Sequence, residues 1–365
     1  MTILATEAPK EVPVPTAGPR PLEPVRAAVV GLGRSGIAHA AVLSTIPGCE
    51  LVGVADSRPS ARSNLRGVGY TAPGFPSLEK LLEKIKPSVV FVCAPGGVCA
   101  RVARLALEAG AAVLVDRPLA RTVAEAEELA RLAAERGLPL ACGHTLAFHP
   151  VFARAHAILQ SGVLGAPGQV RSSMYLSRVF SSARQRAVAP PGSAGGVVAQ
   201  SACDLLFLLI WYMGAPASVR AQWGKLYGDV EDELHAMFTL PGGAEVGFDS
   251  SWSVPGYPHP ATVIELEGEN GRMLASDDAL ELDLFEPRAG GSAGHSRLGH
   301  AALPQLARFD LAGEALYLQD AAFLAWVTGA PAPPNHAGAA FQVVRVIEAL
   351  YASAREGGRA VVVAA

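Results

Sequence analysis

The chain has 365 residues, half of them hydrophobic and 17% charged, with a formal net charge of -3. That length suggests two domains, the apolar share argues against global disorder, and the small net charge excludes broad attraction to nucleic acid or to an anionic membrane surface. Five cysteines without a C-x-x-C pair read as buried thiols of a reducing, cytoplasmic compartment.

Residues 1–25 are Pro-rich and aperiodic, an extended arm without the basic start and apolar core of a signal peptide. Residues 25–30 read as a strand that stops at Gly31, 35–45 as a helix, and 49–55 as a second strand ending at Asp56. The alternation then repeats. Ser77 opens a helix, 88–93 form a strand, and 98–109 form a helix that stops at Gly110. A strand follows at 112–115. Thr122 caps the next helix with Glu125 at its third position, and a strand follows at 139–143. Apolar strands without alternation, separated by helices, indicate a parallel sheet covered on both faces.

Beyond about Thr145 the pattern changes. A helix at 150–161 precedes strand-like segments at 170–176, 218–225, 233–240, 244–252, 262–267 and 280–285. Turns such as Pro241-Gly242-Gly243 join some of them, as in hairpins of a largely antiparallel sheet. A helix at 195–213 is embedded among them, and helices return at 314–328 and 337–354. The apolar run 205–213 is too short to span a bilayer and reads as a core helix.

Gly31-Leu32-Gly33-Arg34-Ser35-Gly36 is a G-x-G-x-x-G set between a strand and a helix, one βαβ unit before the acid Asp56. In that context it reads as a dinucleotide cradle. Gly31 permits the tight turn, Gly33 the approach of a pyrophosphate, and Gly36 the packing of helix on strand. The helix N-terminus adds free N–H donors and partial positive charge. Asp56 is expected to accept from the adenosine ribose, and its charge opposes a 2′-phosphate, which favours NAD. Arg34 and Arg58 would attract that phosphate, so NADP is the alternative. Arg58 otherwise reads as a solvated loop residue.

These residues begin a longer pattern: Val29–Gly36, Val54-Ala55-Asp56, Val92-Cys93-Ala94-Pro95, the run from Ala106 to Ala120, Phe148-His149-Pro150, Ser161-Gly162-Val163-Leu164-Gly165, and Gly195-Gly196 before a helix ending Trp211-Tyr212-Met213-Gly214. The pattern resembles the Gfo/Idh/MocA (glucose–fructose oxidoreductase/inositol dehydrogenase) family over roughly residues 26–355. The resemblance implies an α/β protein: an N-terminal Rossmann dinucleotide-binding domain at 26–146, then an α/β domain at 147–365. The second domain would carry a large open, mostly antiparallel sheet for substrate binding and oligomerisation, with the helix at about 337–354 able to pack back on the first. It implies a substrate cleft between the domains, with Ala94, Pro95, Asp116 and Arg117 joining Arg34 and Ser35 at the cofactor. Pairing through the open sheet face would give a homodimer or homotetramer, with Trp223, Phe238, Phe248 and Trp252 as apolar candidates on that face.

The catalytic positions depart from the family. Its usual Glu-Lys-Pro is Asp116-Arg117-Pro118 here. Its Asp followed four residues on by His matches Gln200 and Asp204, and a further family His matches Cys99. Oxidising an alcohol sends a hydride to the nicotinamide and a proton to a base. Arginine cannot take that proton, because its pKa stays above about 12. Arg117 can orient a carbonyl or carboxylate and stabilise developing negative charge; Asp204 can exchange a proton. A plain inter-domain ion pair is the alternative for these two. His144 and His149 are either proton donors or structural hydrogen-bonders. Tyr175 either faces the cleft or packs as an aromatic. Arg178, Arg184 and Arg186 either bind an anionic group or form a solvated loop. No metal-ligand cluster is read from the sequence; His295 and His300 lie in a Gly-rich loop without evident acidic partners. Three functions follow: an NAD(P)-dependent oxidoreductase of a sugar, cyclitol or similar small polar metabolite; an imine or conjugated-double-bond reductase with an atypical proton donor; or a non-redox nucleotide-binding sensor or partner subunit.

Overall fold

In the computed structural model the opening alternation of strand and helix becomes a parallel sheet. The structure describes residues 23–67, 70–180, 195–227, 229–303 and 313–363. Most of the expected arm (1–22), along with Arg184 and Arg186, lies outside them. The elements are β1 (Val25–Val30), α1 (Arg34–Leu43), β2 (Cys49–Ala55), α2 (Pro59–Gly67), β3 (Gly74–Phe75), α3 (Leu78–Leu82), β4 (Val89–Val92), α4 (Gly96–Glu108), β5 (Ala112–Val115), α5 (Val123–Arg136) and β6 (Leu140–Cys142). They continue with α6 (Pro150–Gln160), β7 (Pro167–Tyr175), α7 (Cys203–Met213), β8 (Ser218–Gly224), β9 (Glu233–Thr239), β10 (Glu245–Ser251), β11 (Ala261–Gly268), β12 (Gly271–Ser276), β13 (Ala279–Leu284) and β14 (Gly294–Gly299). Last come α8 (Gly313–Val327), α9 (Ala337–Arg355) and β15 (Val361–Val362). None of the described helices is long and apolar enough to cross a membrane.

The described residues fall into two compact units: residues up to 145 with 313–344, and residues 146–303 with 345–363. The first unit holds six parallel strands in the order β3-β2-β1-β4-β5-β6. Strands β4 and β5 are buried at every position, because helices cover both faces. On one face Ala28, Val30, Val90 and Val92 pack against α3, α4, α5 and the start of α9. On the other, Ala27, Val29, Val89 and Phe91 pack against α1 and α8. In the structure α8 belongs to this unit rather than to the second domain expected at 147–365, and so does the first half of α9, the helix for which packing back on the first domain was expected to be possible. Phe323 of α8 meets Phe91 edge-on, with ring centroids 5.8 Å apart. Ala340 and Val344 of α9 are buried in the same unit's core. Both helices are apolar on the faces they bury, which says nothing about which sheet they cover.

The second unit holds nine strands in the order β14-β13-β12-β11-β7-β10-β9-β8-β15. All neighbours are antiparallel except β7 with β10. Strand alternation gives the sheet two unlike faces. Val170, Ser172 and Met174 of β7, Phe238 of β9, Phe248 of β10 and Ile264 of β11 are buried. Their alternates form the open face, which is largely polar but also carries Met237 and Val263. The aromatic candidates for that face are corrected: Phe238 and Phe248 stack on each other at 5.4 Å, Trp252 is fully buried, and Trp223 packs by Tyr351 at 5.6 Å.

The open face instead carries a ladder of alternating charge across five strands. Arg171 lies 3.9 Å from Glu265, Glu265 3.4 Å from Arg272, Arg272 3.4 Å from Asp283, and Asp283 2.7 Å from His295. His295 thus has the acidic partner that its sequence neighbourhood did not reveal. It lies on β14, whose Gly294-His295-Ser296-Arg297-Leu298-Gly299 reads as a loop until β13 pairs with it.

Candidate active site

The three glycines of the cradle do different jobs. Gly31 has φ +93°, and a Cβ there would fall on the Cys93 carbonyl oxygen at the end of β4. A Cβ on Gly36 would fall on the Gly31 carbonyl oxygen. Packing requires both. Gly33 has an ordinary φ of -78°, and its Cβ would meet nothing within 4 Å. The fold does not need a glycine there, and the open space beside it suits an approaching pyrophosphate. Gly33 is the N-cap of α1 and supplies no side-chain cap, so the helix's first N–H groups are left for an anion. The turn lies where β2 and β4 flank β1 on opposite sides, the switch point of such a sheet. Ala94 and Pro95 continue β4 at the same edge, and Pro95 caps α4. The residues present fit a dinucleotide.

Asp56 stands just past β2, next to this turn. Its Oδ2 accepts from the Leu32 backbone N–H at 2.7 Å and from Arg58 Nη2 at 2.9 Å. Its Oδ1 accepts from the Arg58 backbone N–H at 2.8 Å and from Nε at 3.0 Å. Arg58 Nη2 also donates to the Leu32 carbonyl at 3.1 Å. Arg62 of α2 donates to the Asp56 carbonyl. Burial alone would push the Asp56 carboxyl up, but the Arg58 and backbone hydrogen bonds outweigh it and bring it down to about 2. Arg58 is an exposed loop residue, as read from the sequence, and in addition its guanidinium closes on the acid.

Asp116 and Arg117 follow β5. Asp116 Oδ1 accepts from the Arg117 backbone N–H at 3.0 Å and lies 3.7 Å from Arg117 Nη1. The Arg117 side chain is 31% exposed. His144, past β6, is buried, and its backbone N–H donates to the Cys142 carbonyl at 2.8 Å. Burial, with Asp116 and Glu125, pushes the Cys99 thiol up to about 12, so it cannot act as a base at neutral pH. One pair was not foreseen: His39 of α1 meets Asp320 of α8 at 2.7 Å, both fully buried. Burial would depress His39, but the Asp320 charge and hydrogen bond outweigh it and hold the imidazole above its ordinary value. Burial pushes Asp320 up as well, so the pair retains its proton. The available signal was spacing: His39 follows Gly36 and precedes Ala40 and Leu43 on the buried stripe of α1.

In the second unit, Asp204 is buried in the first turn of α7, where a helix favours an acid. A π-helical turn, Val198–Ala202, leads into it. Gln200 in that turn donates to the Gly195 carbonyl at 2.6 Å and accepts from Arg178 at 3.2 Å. Arg178 also lies over the Trp252 ring at 4.5 Å, so it is a packed side chain and not only a loop residue. His149 caps α6, with His300 at 4.8 Å and its Nδ1 buried without a hydrogen-bond partner. Burial, then the nearby His300, lowers it to about 4. Tyr175 stands apart. It alternates with the buried Met174 and belongs to the open face, where a concavity of about 480 Å³ is lined by Tyr175, His235, Asp249 and Glu265. Burial and the Asp249 carboxylate push its hydroxyl up to about 12. The structure places Tyr175 on the open face and Asp204 in the buried first turn of α7.

Two family models match the chain: an oxidoreductase family with an NAD-binding Rossmann fold over residues 25–144, and the GFO/IDH/MocA C-terminal domain over 152–274. The chain belongs to the Gfo/Idh/MocA oxidoreductase family. Among its curated members, D-glucoside 3-dehydrogenase of Escherichia coli is 33% identical over 147 residues, 39% of this chain and 41% of that protein. UDP-N-acetylglucosamine 3-dehydrogenase of Acidithiobacillus ferrooxidans is 31% identical over 143 residues, 39% of this chain and 43% of that protein. The chain spans about half or less of the length of these relatives. GenD2 from gentamicin A biosynthesis, solved in complex with NAD, is 26% identical with a TM-score of 0.76, covering 94% of this chain and 97% of that one. Residues 25–144 of this Gfo/Idh/MocA protein accordingly form an NAD-binding Rossmann domain.

Proposed function

We propose that the protein is an NAD-dependent oxidoreductase that oxidises a secondary alcohol of a sugar, cyclitol or similar polar metabolite by hydride transfer. The observation that carries this reading is the open space at Gly33 on the uncapped N-terminus of α1. The substrate class rests on the two relatives named for acting on a glucoside and on a sugar nucleotide. Bound NAD supplies the hydride acceptor. Arg117 orients the substrate oxygen and stabilises negative charge on it, without taking a proton. Asp204 takes the hydroxyl proton as the carbonyl forms. His149, lowered to about 4, is neutral at physiological pH and serves as a hydrogen-bonding group. We also infer self-association through the open face of the second sheet, as a homodimer or homotetramer, with the Arg171–His295 ladder on one half of that face.

The test is reduced-nicotinamide absorbance with a panel of glycosides, nucleotide sugars and cyclitols, for wild type, Arg117→Ala and Asp204→Asn. Under this reading each variant lowers turnover at least about tenfold, some 1.4 kcal/mol of barrier, with NADH affinity little changed. NADH binding without turnover of any alcohol in the panel would favour a non-redox nucleotide-binding role. Full turnover per folded molecule in both variants, with lower thermal stability, would make the two residues structural.

A further inference from the structure

The π-helical turn at 198–202 is held from outside at both ends. Such turns are rare, and they occur mostly as single turns at functional sites. Glu231, just before β9, is buried. Its Oε1 accepts from the Gly196 backbone N–H at 2.8 Å and from the Tyr351 hydroxyl of α9 at 2.6 Å. Its carbonyl accepts from the Val197 N–H at 3.0 Å, and the Ala199 N–H bonds the Tyr351 hydroxyl. The Gly196 carbonyl takes the first bond of the helix, from the Gln200 N–H at 3.1 Å. The N–H groups of Gly196, Val197 and Ala199 are therefore among those a helix start leaves without an internal partner. Two residues distant in sequence take them, and the acid lies where a helix N-terminus favours negative charge. A Cβ on Gly195 would meet the Tyr351 hydroxyl, and one on Gly196 the Glu231 carbonyl, so only glycine lets the chain lie this close. At the other end of the turn, Trp252 Nε1 donates to Ser201 Oγ at 3.0 Å. Asp204 follows directly, in the first turn of α7.

We propose that Glu231 and Tyr351 are positioning residues for Asp204: together they fix the start and the winding of the helix that carries it. The inference rests on the reading of Asp204 as the proton acceptor. Neither residue acts on the substrate; both act through the π-turn. Burial, then the Glu231 charge, pushes the Tyr351 hydroxyl up, so it keeps its proton and stays a donor at neutral pH. When the clamp opens, the π-turn relaxes toward α winding and gives up its extra residue. One residue of register turns the side chains of α7 by about 100° around the axis, since an α-helix has 3.6 residues per turn. That turn carries Asp204 out of its present direction, and a misplacement of about 1 Å can already cost about 100-fold in rate.

The test combines turnover on the same panel of glycosides, nucleotide sugars and cyclitols with hydrogen–deuterium exchange. The proteins are wild type, Tyr351→Phe, Glu231→Gln, Asp204→Asn and the double variant Asp204→Asn/Tyr351→Phe. Tyr351→Phe keeps the ring and removes only the hydroxyl. We expect it to lower kcat at least about tenfold, with KM and NADH affinity little changed. Without any substrate, its amides at 196–204 should exchange faster while those of β9 and β10 do not. Glu231→Gln, which keeps an oxygen for the Gly196 N–H, should lie between wild type and Tyr351→Phe in kcat. In the Asp204→Asn background, Tyr351→Phe should cost nothing further, because both changes act at one group. Equal losses in the two backgrounds would make Tyr351 merely structural and overturn the proposal. Unchanged kcat or unchanged exchange at 196–204 in Tyr351→Phe overturns it too. Unchanged turnover in Asp204→Asn, or no turnover by wild type, overturns the reading of Asp204 instead, so the two failures are distinguishable. Thermal melts report whether each variant is folded; if Glu231→Gln is not, Tyr351→Phe carries the test.

Discussion

His39 on the helix that opens at the glycine turn is held 2.7 Å from Asp320 on α8, both side chains out of reach of solvent. The pair joins two helices distant in sequence and covers one face of the first sheet, where His39 also lies against Phe91 at 5.2 Å. Removing one partner leaves a buried polar group without its counterpart. Asp320→Ala should cost about 3–5 kcal/mol, read as a lowered midpoint in urea unfolding. A loss below about 1 kcal/mol would place the pair among surface-like interactions.

That pair and His149 should give pH dependences of opposite sign. His39 is raised above 6.5, so its contribution is complete below that value and is lost as pH rises through the raised folded pKa. His149 is lowered to about 4, so its contribution is complete above 6.5 and is lost as pH falls toward 4. Thermal melts from pH 4 to 9 should show both slopes in wild type. Asp320→Asn should flatten the alkaline one, and His149→Phe the acidic one. Slopes that survive both substitutions would assign them to other groups.

The glycines of the cradle predict a separation of folding from binding. Gly33→Val places a side chain in the ligand's space and should abolish NADH binding in a calorimetric titration while leaving the melting temperature near wild type. Gly36→Ala puts its Cβ on a backbone carbonyl and should lower stability even without ligand. Equal NADH affinity in wild type and Gly33→Val would remove the pyrophosphate from this turn.

On the open face, Arg272 sits between Glu265 and Asp283 in the charge ladder. Arg272→Glu would set three acids side by side. Sedimentation should find wild type self-associated at micromolar concentration and the variant shifted toward monomer, the more so at low salt, where surface charges are least screened. A monomeric wild type would remove the open face as an interface.

Much of the first unit was legible because its signals are local. An apolar run, a glycine turn, a capping threonine and an acid closing the second strand each lie within a few residues of what they determine. Thr122 does accept from the Glu125 N–H at 3.2 Å, as the capping pattern requires. Tertiary relations were less legible. Nothing around Asp320 announces that its partner is 281 positions earlier. The four aromatics expected on the open face could not be assigned a side without strand register, and a one-residue difference in parity decides it. Arg58 is the exposed loop residue that the sequence suggested, but its ion pair with Asp56 was not legible, because nothing in the sequence says which way the side chain turns. Gln200 and Asp204 were placed on one helix; the run is continuous, but Gln200 falls in its π-helical turn and Asp204 in the first turn of α7, a change of winding that no local signal announced.

Strand β7 lies at the centre of the nine-stranded sheet and is the first of its strands in the chain. Ser172 on it bonds to a carbonyl of β10 that is 75 positions later. On either side stand meanders whose strands are sequence neighbours: β8, β9 and β10, then β11 to β14. Local hairpins close in microseconds, whereas pairing across long loops is slow. During synthesis β7 is made before both of its neighbours, so its two edges stay unpaired until β10 and β11 have been made. Its alternating polar residues, Gln169, Arg171 and Ser173, keep one face of that waiting strand soluble, so the charged face also guards the chain against edge-to-edge aggregation before it has folded.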